Sequence, residues 1–150
     1  MNKDFKKLEK NLGYSFKKKE TLVKALTHVS KSKENNEVFE FLGDSVLNLV
    51  ISQILVEKFS MDDEGTLSLM RSKLVSRTTL NRVAKKLELD SFIITGDSLA
   101  GQETPENILG NALEAIFGAV YKESGLEFIQ KIIETTFAKE IELLREGNLK

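Results

Sequence analysis

The chain has 150 residues, the length of one domain and enough to bury most of its apolar surface. Its 41% hydrophobic and 30% charged residues and net charge of −1 describe a folded soluble protein with no global attraction to nucleic acid, so any such contact has to come from a local basic face. The lack of cysteine excludes disulfides, thiolate metal sites and thiol catalysis, and the single histidine leaves zinc-hydrolase and Ser–His schemes short of partners.

The N-terminal MNKDFKKLEK mixes charged and apolar residues at helical spacing, unlike a secretory signal with an apolar core. No stretch approaches the roughly 20 apolar residues of a membrane span. A cytoplasmic location with no membrane partner is therefore expected. Phe5, Leu8 and Leu12 predict a short amphipathic helix closed by Gly13. Leu22, Val23, Leu26 and Val29 predict the next, over about residues 18–29. The segment NNEVFEFLGDSVLNLV, running on through Ile51, Ile54, Leu55 and Phe59, predicts a long central helix that is apolar on most sides.

After the polar turn Met61-Asp62-Asp63-Glu64-Gly65, Thr66 is the expected cap of one helix carrying Leu67, Met70, Leu74, Val75, Leu80, Val83 and Leu87. Phe92-Ile93-Ile94 is the one candidate strand and too short to count; residues 95–104, with Gly96 and Gly101, read as a loop. Thr104 as cap and Pro105 at the first position open a helix through Ile108, Leu113, Ile116 and Val120 that ends near Gly125. Phe128, Ile129, Ile132, Ile133, Phe137, Ile141 and Leu144 predict a single last helix. With no sustained strand alternation, the expectation is one all-α domain.

The central helix carries three acids, Glu37, Glu40 and Asp44. At about 100° per residue they share an arc of roughly 60°. A solvated helix edge usually mixes signs, because like charges at i,i+4 are unfavourable. Here Glu40 and Asp44 are such a like pair, and no Lys or Arg occurs from residue 34 to 57. A cation between the carboxylates would relieve that repulsion; the plainer reading is a solvent-facing edge. A second motif, Gly110-Asn111-Ala112-Leu113-Glu114-Ala115, puts Asn111 and Glu114 three residues apart on a face of Ala and Leu. Ala112, Ala115, Gly118 and Ala119 permit close approach of another helix, and Gly43 offers a matching point. If the two helices cross there, Glu40, Asp44, Asn111 and Glu114 converge as an oxygen-only set suited to Mg²⁺ or Mn²⁺.

The run Asn36-Glu37-Val38-Phe39-Glu40-Phe41-Leu42-Gly43-Asp44-Ser45-Val46-Leu47 resembles the signature helix of the ribonuclease III family, endonucleases specific for double-stranded RNA. Three further blocks agree in order: Ala25-Leu26-Thr27-His28-Val29-Ser30, then Glu64-Gly65-Thr66-Leu67-Ser68 with Arg71, then Leu113-Glu114-Ala115 followed by Gly118-Ala119-Val120-Tyr121. The resemblance implies an all-α ribonuclease III endonuclease domain over residues 1–150, acting as a homodimer. It also implies Mg²⁺-dependent hydrolysis (Mn²⁺ substituting) of double-stranded RNA to 5′-phosphate and 3′-hydroxyl ends, in the processing of ribosomal and messenger precursors. By motif position Asp44 and Glu114 are the implied catalytic residues, Glu40, Asp44, Asn111 and Glu114 the implied metal ligands, and Glu37 and Glu64 supporting acids.

Two departures stand out. The family's second pair is normally Asp-x-x-Glu, whereas Asn111 keeps a carbonyl oxygen but not the charge. The chain also ends at Arg145-Glu146-Gly147-Asn148-Leu149-Lys150, which resembles the linker before the double-stranded RNA-binding domain into which bacterial relatives usually continue; a catalytic-domain fragment and a naturally short member are the two expectations. Owing to Asn111, the alternative to an enzyme is a catalytically impaired double-stranded RNA-binding or dimerisation module. Arg71, Lys73 and Arg77, with Arg82, are the candidate phosphate contacts, while Lys17-Lys18-Lys19 and Lys85-Lys86 read as solvated surface. His28 is expected to be structural, Ser45 has no base to activate it, and Phe39 and Phe41 read most simply as core. The resemblance also puts residues near Phe41 at the dimer interface.

Overall fold

The computed structural model describes residues 4–99 and 104–149, apart from the side chain of Glu106. Among the described residues there are eight α-helices and no strand: α1 Lys6–Leu12, α2 Lys19–Leu26, α3 Glu37–Lys58, α4 Glu64–Leu74, α5 Arg77–Lys86, α6 Glu106–Ser124, α7 Leu126–Thr136 and α8 Ala138–Arg145. Two longer helices, α3 and α6, pack against each other at the centre. The all-α expectation holds, and Gly101 lies outside the described residues.

Gly13 ends α1 as the sequence suggests: at φ +76° it adopts the left-handed conformation that spares glycine any Cβ clash, and its N–H caps Glu9 and Lys10 carbonyls. Helix α2 stops at Leu26 because Thr27 turns extended and forms an isolated parallel bridge with Ile94. The Ile94 N–H donates to Leu26 O, the His28 N–H donates to Ile94 O, and the Asn36 N–H donates to Thr27 O. This knot fixes the chain where α3 begins. Val29, expected on the α2 stripe, lies beyond it and is exposed.

Two predicted helices are each split. The expected helix from Thr66 to Leu87 breaks between Leu74 and Arg77: Ser76 is extended, and its hydroxyl accepts the Thr79 N–H at 3.2 Å, starting a new helix. Asp63, rather than Thr66, caps α4; its Oδ1 accepts the Thr66 N–H at 2.8 Å. The final helix breaks at Phe137, whose fully buried ring packs 6.2 Å from that of Phe117 on α6. Turning the chain there brings α8 back onto the body, where Lys86 reaches the fully buried Glu140 at 2.8 Å. Pro105 occupies the cap position of α6, one residue outside the expected place.

Helix α3 corrects another expectation. By length and composition it is apolar enough to cross a membrane. Its apolar residues Val46, Leu47, Val50, Ile51, Ile54 and Leu55 are instead buried in the domain core. Phe39 is buried with them, but Phe41 is 79% exposed and so is not core.

The far end of α6 is tied to the α1–α2 connection through Glu123. Its carboxylate accepts the Tyr14 hydroxyl at 2.6 Å and the N–H groups of Lys17 and Lys18 at 3.0 Å. Burial acts to raise the Glu123 carboxyl, but these donors and the Lys17 charge prevail and hold it below its usual range. Burial and the same carboxylate push the Tyr14 hydroxyl up to about 12.

Candidate active site

Helices α3 and α6 touch backbone to backbone. A Cβ built on Gly43 would stand 1.7 Å from the carbonyl oxygen of Glu114, and one on Gly118 would stand 2.1 Å from that of Phe39. No side chain fits at either point, so the two glycines set the distance between the helices. This contact brings the residue after Gly43 beside the residue one turn before Gly118. The side chains of Asp44 and Glu114 lie close enough at this crossing for Asp44 to act on the Glu114 carboxyl. Glu40 is half-buried one turn before Asp44, Glu37 is exposed at the helix start, and Asn111 is half-buried one turn before Glu114.

Glu114 is only 8% exposed. Burial first, then the neighbouring Asp44 and the charge of Glu40, push its carboxyl up to about 8, with Arg77 opposing. Glu40 is raised too, by burial, then by Glu37 and Asp44, again against Arg77. The crossing therefore concentrates more negative charge than the fold solvates, a setting that favours a proton or a cation among the acids.

Among the described residues, no three Asp, Glu or His side chains stand close enough together to form a ready-made metal centre. Mg²⁺ asks for less: it keeps several waters and commonly takes one or two carboxylates, completing its shell with substrate phosphate oxygens. The neighbouring Asp44 and Glu114, flanked by Glu40 and the Asn111 amide, suit such a hard ion in donor chemistry.

A family model described as ribonuclease-III-like matches residues 18–141. The chain belongs to this family. It is similar to ribonuclease 3 of Francisella tularensis subsp. novicida, with 48% identity over 81% of this chain and 53% of the relative. Ribonuclease 3 of Francisella philomiragia is 44% identical over 98% of this chain and 64% of its own length. The chain thus spans about half to two thirds of the curated relatives it matches. A crystal structure of the nuclease domain of ribonuclease III from Campylobacter jejuni superposes with a TM-score of 0.87 at 42% identity, covering 93% of this chain and 97% of that one.

The remaining candidates of this ribonuclease-III-like domain separate by position. Glu64, in the first turn of α4, lines a groove with Ser52, Leu55, Val56, Leu67 and Arg71, none of them from the acid crossing. Arg71 donates to Ser52 Oγ at 2.8 Å across that groove. Lys73 is exposed in the last turn of α4. Arg77, though exposed, bonds to α6, donating to Asn111 Oδ1 at 3.3 Å. Sequence reading missed this pairing because α5 and α6 meet only through the tertiary fold. His28 is a loop residue whose ring Nδ1 meets Ser30 Oγ at 2.8 Å and accepts the Ser30 N–H at 3.1 Å. Ser45 is exposed on α3.

Proposed function

We propose that this domain is a divalent-metal-dependent endoribonuclease that cuts double-stranded RNA to 5′-phosphate and 3′-hydroxyl ends, in the cytoplasm, on ribosomal and messenger precursors. The observation that carries the reading is the glycine crossing of α3 and α6, which brings Asp44 beside the buried Glu114. Asp44 and Glu114, with Glu40 and the Asn111 oxygen, would hold Mg²⁺ or Mn²⁺. The bound ion supplies an activated water and stabilises charge developing on the phosphorus centre and leaving oxygen. The chain's own part is to fix those oxygens rigidly: Gly43 and Gly118 remove slack between the helices, and the buried Glu114 gives its carboxylate one setting. Glu37 adds negative charge beside Glu40, and Glu64 shapes the neighbouring groove. Arg71 and Lys73 on α4 are the cations offered to RNA phosphates. Double-stranded RNA is read mostly through backbone and 2′-hydroxyl contacts, so base preference should be weak. Labelled duplex RNA incubated with the protein and Mg²⁺ should yield defined cuts bearing those ends.

The functional unit of this reading is a homodimer. Val38, Phe41, Leu49 and Val56 are 71%, 79%, 55% and 58% exposed. At about 100° per residue they form a single apolar stripe along α3, of the sort that soluble proteins cover. A two-fold related copy would meet it with the same stripe. In the C. jejuni nuclease domain, likewise, a structurally flexible region is involved in dimer formation. Phe41→Asp is expected to convert the dimer to monomer in sedimentation velocity, with the helical circular dichroism intact; a Phe41→Asp dimer would count against this interface.

A second reading keeps the fold and RNA binding but not turnover. It is favoured by Asn111, whose neutral amide is already bonded to Arg77. Retention of duplex RNA without cuts at any Mg²⁺ concentration would select it. For the enzyme, Asn111→Asp restores a negative charge beside Glu114 and is expected to raise the cleavage rate severalfold at low Mg²⁺. Equal rates for the two forms would refute a role for that charge.

A further inference from the structure

Arg77 opens α5, yet its guanidinium reaches onto α6. Nη1 donates to Asn111 Oδ1 and to the Asn107 carbonyl oxygen, each at 3.3 Å. Gly110, between those two residues, leaves the space: the position its Cβ would take lies 3.0 Å from Asn81 Oδ1 and 3.9 Å from Arg77 Nη1. Asn81 Oδ1 is itself buried without a hydrogen-bond partner, so a side chain at 110 would press on an already confined polar pocket. Arg77 also acts electrostatically on the acids, because its charge lowers the carboxyl groups of both Glu40 and Glu114 against everything that raises them. A guanidinium does not deprotonate in proteins, so that charge is permanent.

Resting on the reading of the Asp44–Glu114 crossing as a divalent-metal site, we propose that Arg77 is a positioning residue that serves as an internal counter-cation. In the metal-free protein it holds the Asn111 oxygen and offsets part of the acids' charge, and a divalent ion binds in competition with it. The bond to be exchanged is a weak one. Its acceptor is a neutral amide at 3.3 Å, longer than the common range for N–H···O bonds. The long bond from Arg77 to Asn111 thus keeps the guanidinium displaceable. Arg77 accordingly sets how much metal is needed, not how the acids are arranged.

The test is Mn²⁺ affinity, measured by calorimetry on the whole chain for the parent protein, Arg77→Met, Arg77→Lys and Glu114→Gln. Removing one nearby positive charge should tighten Mn²⁺ binding by about tenfold or more, so Arg77→Met binds more tightly, Arg77→Lys stays near the parent and Glu114→Gln loses most of the binding. Arg77→Met should also melt at a lower temperature without metal and gain more from added Mn²⁺ than the parent gains. Arg77→Gln, neutral and polar, replaces the methionine variant if that one does not fold. If neither neutral variant binds Mn²⁺ more tightly while Glu114→Gln loses binding, the counter-cation is overturned and the metal site stands. If no form binds Mn²⁺ at millimolar concentration, the metal reading itself falls and the inference falls with it.

Discussion

Replacing Glu114 with glutamine is expected to abolish cleavage of duplex RNA while making the metal-free domain more stable at pH 8. Both effects come from the same burial. Glu114 is 8% exposed, and burial followed by Asp44 and Glu40 pushes its carboxyl from the usual 4.5 up to about 8. An acid whose value is raised by folding favours the folded state fully below its unfolded value. That contribution fades as pH rises through the folded value. The parent protein without metal should therefore lose stability between about pH 4.5 and 8 relative to Glu114→Gln, by an amount on the order of 3 kcal/mol. Glutamine has no proton to lose in that window, so the variant's stability should follow a flatter course.

A saturating divalent ion acts in the opposite direction, because a ligand that binds only the folded state stabilises it by mass action. Adding Mg²⁺ should lift the parent's melting temperature most at pH 8 and leave Glu114→Gln nearly unchanged. Cleavage should drop by at least about a hundredfold, since the metal's charge stabilisation is worth several kcal/mol in the transition state. Thermal melts across pH with and without Mg²⁺, together with initial cleavage rates, check all three outcomes. A glutamine variant that cuts like the parent, or that Mg²⁺ stabilises equally, would remove Glu114 from the site.

Gly43→Ala is the second large effect, and it comes from steric overlap rather than charge. The added methyl would stand 1.7 Å from the Glu114 carbonyl oxygen, 2.6 Å from its carbonyl carbon and 3.0 Å from the Gly118 nitrogen. All three atoms are backbone, so no rotamer change relieves the clash and the helices themselves have to separate. Overpacking typically costs about 1–3 kcal/mol where side chains can adjust. With backbone on both sides the loss should reach or exceed the upper end. Urea denaturation measures it, and Gly65→Ala is the control. The nearest atom to a Cβ there is Asp63 Oδ1 at 3.7 Å, and alanine at an unstrained helical position stabilises by roughly 0.4–1 kcal/mol. Because the Gly43 contact also sets the distance between Asp44 and Glu114, folded Gly43→Ala should cleave more slowly than its stability alone implies. A substitution tolerated with unchanged stability would mean that the helices do not meet this closely.

How much of this was legible in the sequence differs from residue to residue. Apolar spacing located α1, α2, α3 and α6 because it follows from the helical repeat and needs no partner. The same spacing concealed the breaks at Ser76 and Phe137, since an apolar stripe reads straight through a break when both halves bury their apolar faces. Ser76 does carry a local signal, as a capping hydroxyl three residues before Thr79, but the continuous stripe of Leu74, Val75 and Leu80 outweighed it. Phe137 carries none: the turn there is set by burial of its ring against Phe117. Phe39 and Phe41 look alike in the sequence, yet one is buried and the other is 79% exposed, because which side of α3 the core occupies depends on where α6 lies.

The sequence by itself determined the helical class, the family and the small residues, Gly43 and Gly118, that let two helices touch; these depend on local periodicity and on the size of a side chain. Only the tertiary structure decided which carboxylates meet, that Glu114 is buried while Asp44 stays exposed, and that the exposed Arg77 bonds onto α6. Electrostatic coupling depends on distance and desolvation. Both are properties of helices brought together from positions far apart in the chain, and no spacing within one helix encodes them.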